Sequence, residues 1–197
     1  MGEGTAPRAL LGIVTALRAR KRSFAIVGGL AVSARSEPRF TRDVDIAVAV
    51  ADDADAESLV RDLSIAGYHP IASVEHDIRK RLATVRLLSP EAVTVDLLFA
   101  SSGIEPEIVA RATDVELPFV GAVGVARAED LLAMKVLSMR DTRLQDRIDA
   151  QRLIEFVTDL DLELVRLDLE LMTQRGFHRD QDLEAKLRGV LEEAARA

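Results

Sequence analysis

Apolar residues recur at helical spacing over residues 6–20, where Leu10, Leu11, Val14 and Leu17 share one side, which predicts a helix. Arg18, Arg20, Lys21 and Arg22 close it with the positive charge that suits a helix C-terminus. A short, wholly apolar run at 24–27 predicts a buried strand that breaks at Gly28-Gly29. Residues 30–35 read as a helix stopped by Pro38, and 43–50 as a second strand. Over 52–66 the pattern returns to helical, with Leu59, Val60 and Leu63 on one side and Gly67 just past the end. Residues 81–88 and 92–100 predict two strands around Ser89-Pro90-Glu91, most simply a hairpin. A short helix at 105–111 and two short strands at 117–120 and 123–126, around Gly121, follow. From residue 128 onward only helices are predicted, at 129–140, 143–157, 162–173 and 180–195, with Gly176 separating the last two. The expected class is α/β (α+β): a small mixed sheet with flanking helices over 1–127, then a helical region over 128–197 packed on it.

Composition narrows the chemistry. Hydrophobic residues make up 48% of the 197, enough for a substantial core. With no Cys there is no disulfide, thiolate metal site or cysteine nucleophile, and a cytoplasmic location is the expectation. No apolar run approaches a membrane span or a secretory leader, so no membrane partner is expected. The three His lack zinc spacing. A net charge of −7 disfavours a broad non-specific DNA footprint but leaves room for a local basic cleft.

Two aspartates stand out on the second strand. Side chains alternate along a strand, so Asp43 and Asp45 project to one side while Val44, Ile46 and Val48 enter the core. Paired carboxylates on a rigid strand form a hard oxygen site suited to Mg²⁺ or Mn²⁺. Gly28 and Gly29, opening a helix, offer backbone N–H groups to phosphate. Asp96 sits within Val93-Thr94-Val95-Asp96-Leu97-Leu98, where an acid is costly to bury unless it is paired or metal-bound. Beside the second strand it would complete a three-carboxylate set able to hold two Mg²⁺ ions, one on a triphosphate and one on an acceptor hydroxyl. Arg35, Arg39 and Arg42 surround the aspartates, and Arg39 and Arg42 are candidate nucleotide-binding residues. Arg79-Lys80-Arg81 with Arg86 reads more simply as a charged sheet edge than as an RNA guide.

The order Gly28-Gly29, Arg39-x-Thr41-x-Asp43-Val44-Asp45 and Val95-Asp96-Leu97 resembles the nucleotidyltransferase superfamily typified by DNA polymerase β. Within it the chain looks most like the AbiEii/AbiGii and MenT group of bacterial toxins. Ala128-Glu-Asp-Leu-Leu-Ala-Met-Lys135, followed by Arg140, Arg143, Asp146 and Asp149, is similar to that group's helical motifs. Where many members carry Ser or Thr beside the glycines, this chain has Leu30, so a phosphate cradle would rest on backbone N–H groups. The resemblance implies a metal-dependent enzyme that moves a nucleoside monophosphate from an NTP to an acceptor hydroxyl. It assigns the metal to Asp43, Asp45 and Asp96, and places Lys135 on the triphosphate. Asp146 is the candidate nucleotide-site acid, although Asp149 fits the same motif. Implied partners are an NTP, a tRNA or other acceptor, and an antitoxin protein.

Two other readings use the same residues. A small-molecule, antibiotic-modifying nucleotidyltransferase has the same core and suits the acidic net charge. A non-catalytic nucleotide- or partner-binding module is disfavoured by the intact three-aspartate set. On residue chemistry alone, Lys135 amid Leu131, Leu132, Met134 and Val136 reads as a side chain snorkelling to water.

Overall fold

A computed structural model describes residues 5–76, 80–140 and 142–196. Helix α1 (Thr5–Ala19) buries Leu10, Ile13, Val14 and Leu17, spaced by three or four as one helical face requires. Strand β1 (Phe24–Val27) runs directly into α2 (Gly28–Arg35). Strand β2 (Val44–Val48) is followed by α3 (Asp53–Ile65), which starts where Asp52 accepts the Asp55 N–H and ends before Gly67 at φ +92°. Next come β3 (His69–Glu75), β4 (Leu82–Leu88), β5 (Thr94–Leu98), α4 (Glu105–Arg111), β6 (Thr113–Leu117) and β7 (Gly121–Val125). The chain closes with α5 (Ala128–Ser138), α6 (Leu144–Phe156), α7 (Leu162–Gln174) and α8 (Leu183–Ala194). No helix among the described residues is long and apolar enough to cross a membrane.

The strands form one seven-stranded mixed sheet, ordered β3-β4-β5-β2-β1-β7-β6. Strands β2 and β5 pair parallel, as do β1 and β7; every other neighbouring pair is antiparallel. Two rows of residues run across the middle of the sheet. Ile26, Ile46, Leu97 and Val85 are cross-strand neighbours, all buried, and form the core row. The next row, one residue on or back along each strand, is Val27, Asp45, Asp96 and Arg86. Because side chains alternate, the row that faces away from the core row carries the charges. Helix α2 packs on β1 and β2 and also against α5 and α6, so it joins the sheet to the helical half.

Strand β3 was not expected from the sequence. All seven of its residues are exposed, so no burial contrast marks it, and it lies at the sheet edge. The expected strands around Gly121 are shifted: the hairpin is made by 113–117 and 121–125, with Gly121 at φ +78° opening the second strand.

Candidate active site

A cleft of about 500 Å³ opens where the charged row of the sheet meets α5 and α6. Its walls include Gly28, Gly29, Arg39, Asp43, Asp45, Asp96, Lys135 and Asp146, so most of the candidate residues come together there. Five chain regions supply them: the β1–α2 junction, strand β2 with its approach, strand β5, helix α5 and helix α6.

Gly28 has φ +62°, and a Cβ placed on it would fall 2.0 Å from Asp45 Oδ2. Only glycine allows that carboxylate so near the turn. The Gly29 backbone N–H donates to Asp45, so part of the cradle already serves a carboxylate. Asp45, partly buried on β2, has its pKa pushed up to about 6, first by loss of solvent and then by Asp96; Lys135 pulls it back. Asp43 sits in the bend just before β2 and contributes to the same repulsion.

Asp96 is directly opposite Asp45 on the neighbouring parallel strand. Its two oxygens are both engaged by Arg86, with Nε donating to Oδ1 at 2.8 Å and Nη2 to Oδ2 at 2.7 Å. This corrects the reading of Arg86 as an edge charge: β4 lies inside the sheet, between β3 and β5, and Arg86 faces the cleft. The hairpin register supplied a signal, since pairing Leu88 with Thr94 puts Arg86 opposite Asp96. Of the rest of that basic cluster, Arg79 lies outside the described residues, and Arg81 donates to Asp53 at 2.6 Å.

Lys135 does not snorkel. Its Nζ lies 2.8 Å from Asp146 Oδ1 and 2.7 Å from Asp149 Oδ2. Asp149 is fully buried; Gln145 and Arg39 also donate to it, each through one bond, at 2.8 and 2.9 Å. Desolvation alone would raise its pKa, but Lys135, Gln145 and Arg39 hold it below the usual carboxylate range. The two acids thus divide the work: Asp146 lines the cleft, and Asp149 lies beneath it and anchors two cations. The carboxylate partner of Arg39 thus comes from the helical half, through Asp149.

Two arginines stand apart from the cleft. Arg42 is exposed and lies over the Phe40 ring, 6.0 Å from its centroid. The loop into β2 alternates, with Arg39, Thr41 and Asp43 facing the cleft, so residue 42 points the other way. Arg35 is spent on the sheet, donating to the carbonyls of Ala126 and Val125 at 2.9 and 2.8 Å. Sequence reasoning missed Arg179, which lines the cleft from the α7–α8 connection with its backbone at φ +55°. No periodic pattern marked that segment.

The donor set suits a hard divalent cation. Asp43 and Asp45 offer carboxylate oxygens, and Asp45 is a carboxylate short of solvent and repelled by Asp96, which a cation would stabilise in its charged form. Among the described residues, however, no three acidic or His side chains gather as a preformed metal cluster. Asp96 fits less well than the other two, because its oxygens are turned onto Arg86.

A family model described as nucleotidyl transferase AbiEii toxin, type IV TA system, matches residues 10–197. No curated protein matches the chain by sequence. Among solved structures, the antibiotic-resistance factor ANT(2'')-Ia in solution is similar, with 17% identity and a TM-score of 0.53 over 88% of this chain and 94% of that one. A crystal structure of ANT(2'')-Ia with adenylyl-2''-tobramycin gives 16% identity and a TM-score of 0.51, covering 87% of this chain and 98% of that one. An antigenic nucleotidyltransferase-like protein from Paracoccidioides brasiliensis gives 17% and 0.51, covering 92% of each chain. At these identities the likeness establishes the fold.

Proposed function

We propose a reaction for this chain from the premise that it belongs to the AbiEii nucleotidyl transferase toxin family and is a nucleotidyltransferase. It moves a nucleoside monophosphate from an NTP to an acceptor hydroxyl and releases pyrophosphate. The observation that carries this reading is the meeting of the Gly28-Gly29 turn, the Asp45–Asp96 pair and Lys135 in one cleft. Asp43 and Asp45 would hold a divalent ion, Mg²⁺ or Mn²⁺. When bound, such an ion supplies charge to the triphosphate and lowers the pKa of the acceptor hydroxyl. The α2 N-terminus, at Gly28 and Gly29, receives phosphate oxygens. Lys135, fixed by Asp146 and Asp149, faces the charge that develops on the leaving pyrophosphate. Asp96 takes the hydroxyl proton through a lone pair that Arg86 leaves free.

The acceptor in this reading is tRNA or another RNA. Arg143 and Arg179 line the cleft, and loss of solvent first, then nearby Arg140 and Arg143, lower the Arg179 pKa. Among the described residues neither Arg140 nor Arg179 pairs with a carboxylate, so on a chain of net charge −7 this rim is a local positive field suited to phosphodiesters. The family's description as a toxin of a toxin–antitoxin system makes an antitoxin the further partner. A second reading, adenylylation of an aminoglycoside-like small molecule, is favoured by the fold shared with ANT(2'')-Ia. Incubating the purified protein with each labelled NTP, Mg²⁺ and either a tRNA pool or aminoglycosides separates the two. Label on tRNA supports the first, label on aminoglycoside the second, and label on neither contradicts both.

A further inference from the structure

We infer that Arg86 takes the place of a second divalent ion, so that this site holds one metal, on Asp43 and Asp45, with the Arg86 guanidinium as the permanent counter-cation of Asp96. The inference rests on the metal-dependent reading above. Arg86, Asp96 and Asp45 are consecutive cross-strand neighbours on β4, β5 and β2, so their side chains share one face of the sheet. The guanidinium meets both oxygens of Asp96 as a fork, at 2.8 and 2.7 Å, the geometry in which Arg is strongest and most fixed. Arg86 also feels the charges of Asp43 and Asp45, after its main interaction with Asp96. The other nearby cations are committed elsewhere, Lys135 to Asp146 and Asp149, and Arg39 to Asp149. Three carboxylates and one guanidinium leave two net negative charges, which one divalent ion balances. A second ion would have to displace a bidentate arginine from a carboxylate that is only 8% exposed.

Arg86 is therefore a positioning residue that fixes the Asp96 carboxylate on its β4 side, and its test is a count of metal ions. Mn²⁺ is titrated into the wild-type chain, Arg86→Lys and Arg86→Met, each with and without a non-hydrolysable NTP analogue, following bound Mn²⁺ by electron paramagnetic resonance. Thermal melting confirms that each variant is folded. The expected result is one Mn²⁺ per chain in the wild type and in Arg86→Lys, which keeps the charge, and two in Arg86→Met, where Asp96 is freed. Two ions in the wild type, or a single ion in all three folded chains, would overturn the inference while leaving the metal-dependent reaction intact. No bound ion in any chain, even with the nucleotide analogue, would overturn both.

Discussion

Gly28 shows how one residue sets the site. Its positive φ and the 2.0 Å that a Cβ would leave to Asp45 Oδ2 make two demands that only glycine meets. For Gly28→Ala the strained backbone alone should cost about 1–2 kcal/mol. Displacement of Asp45 should remove nucleotidyl transfer, measured by label incorporation on a variant that circular dichroism shows to be folded. Lys135 is the second test at this scale. Lys135→Met removes one charged donor from the fully buried Asp149 and leaves Arg39 as its one cation, so it should destabilise the chain by about 1.5–3 kcal/mol as well as abolish transfer. The double variant Lys135→Met/Asp149→Asn should regain most of the melting temperature and none of the activity. Recovery of activity along with stability would show that Lys135 only supports the fold. The sheet aspartates and the glycines of this cleft could be read from strand phase and turn chemistry, and Asp146 from the family resemblance. The partners of Lys135 could not, because they depend on how α5 and α6 pack.

Among the elements, helices α4, α5 and α7 meet on a charge cluster away from the cleft. Arg111 of α4 contacts Asp130 of α5 and donates to both oxygens of Asp168 of α7 at 2.8 and 3.0 Å. Both acids are fully buried, and one guanidinium cannot neutralise two carboxylates. Loss of solvent raises both pKa values, that of Asp168 to about 6. Between its unfolded value of about 4 and about 6 the folded chain holds more protons than the unfolded one, so this cluster's contribution falls as pH rises through that window. Urea unfolding at pH 4.5 and 7.5 should show a loss of about 1–3 kcal/mol at the higher pH from this group, and Asp168→Asn should flatten it. Most elements were legible because apolar period and caps agree, as at α3, where Asp52 starts the helix and Gly67 ends it. Strand β3 was not, since its residues are exposed throughout and its existence depends on pairing with β4.

For the whole molecule, the cleft exists because two differently built halves share it. The sheet supplies carboxylates from adjacent strands, and the helical region supplies Lys135, Asp146 and the basic rim. The Arg39 loop ties them by reaching Asp149. A helical region after the sheet half was foreseeable from the change of period at residue 128. The cross-strand alignment of Arg86 with Asp96 and Asp45 was obscured, because only the sheet order makes β4 an inner strand. If RNA is the acceptor, its KM should rise steeply with salt while that for NTP changes less, because phosphodiester contacts release counter-ions. The most direct test of the account is transfer of label from an α-labelled NTP to tRNA by the wild-type chain and by Asp45→Asn. The variant removes the charge and keeps the shape, and relieving the repulsion among the aspartates should hold or raise its melting temperature. The account predicts Mg²⁺-dependent labelling by the wild type and a loss on the order of 100-fold or more in the folded variant. Labelling at the wild-type rate by folded Asp45→Asn would contradict it.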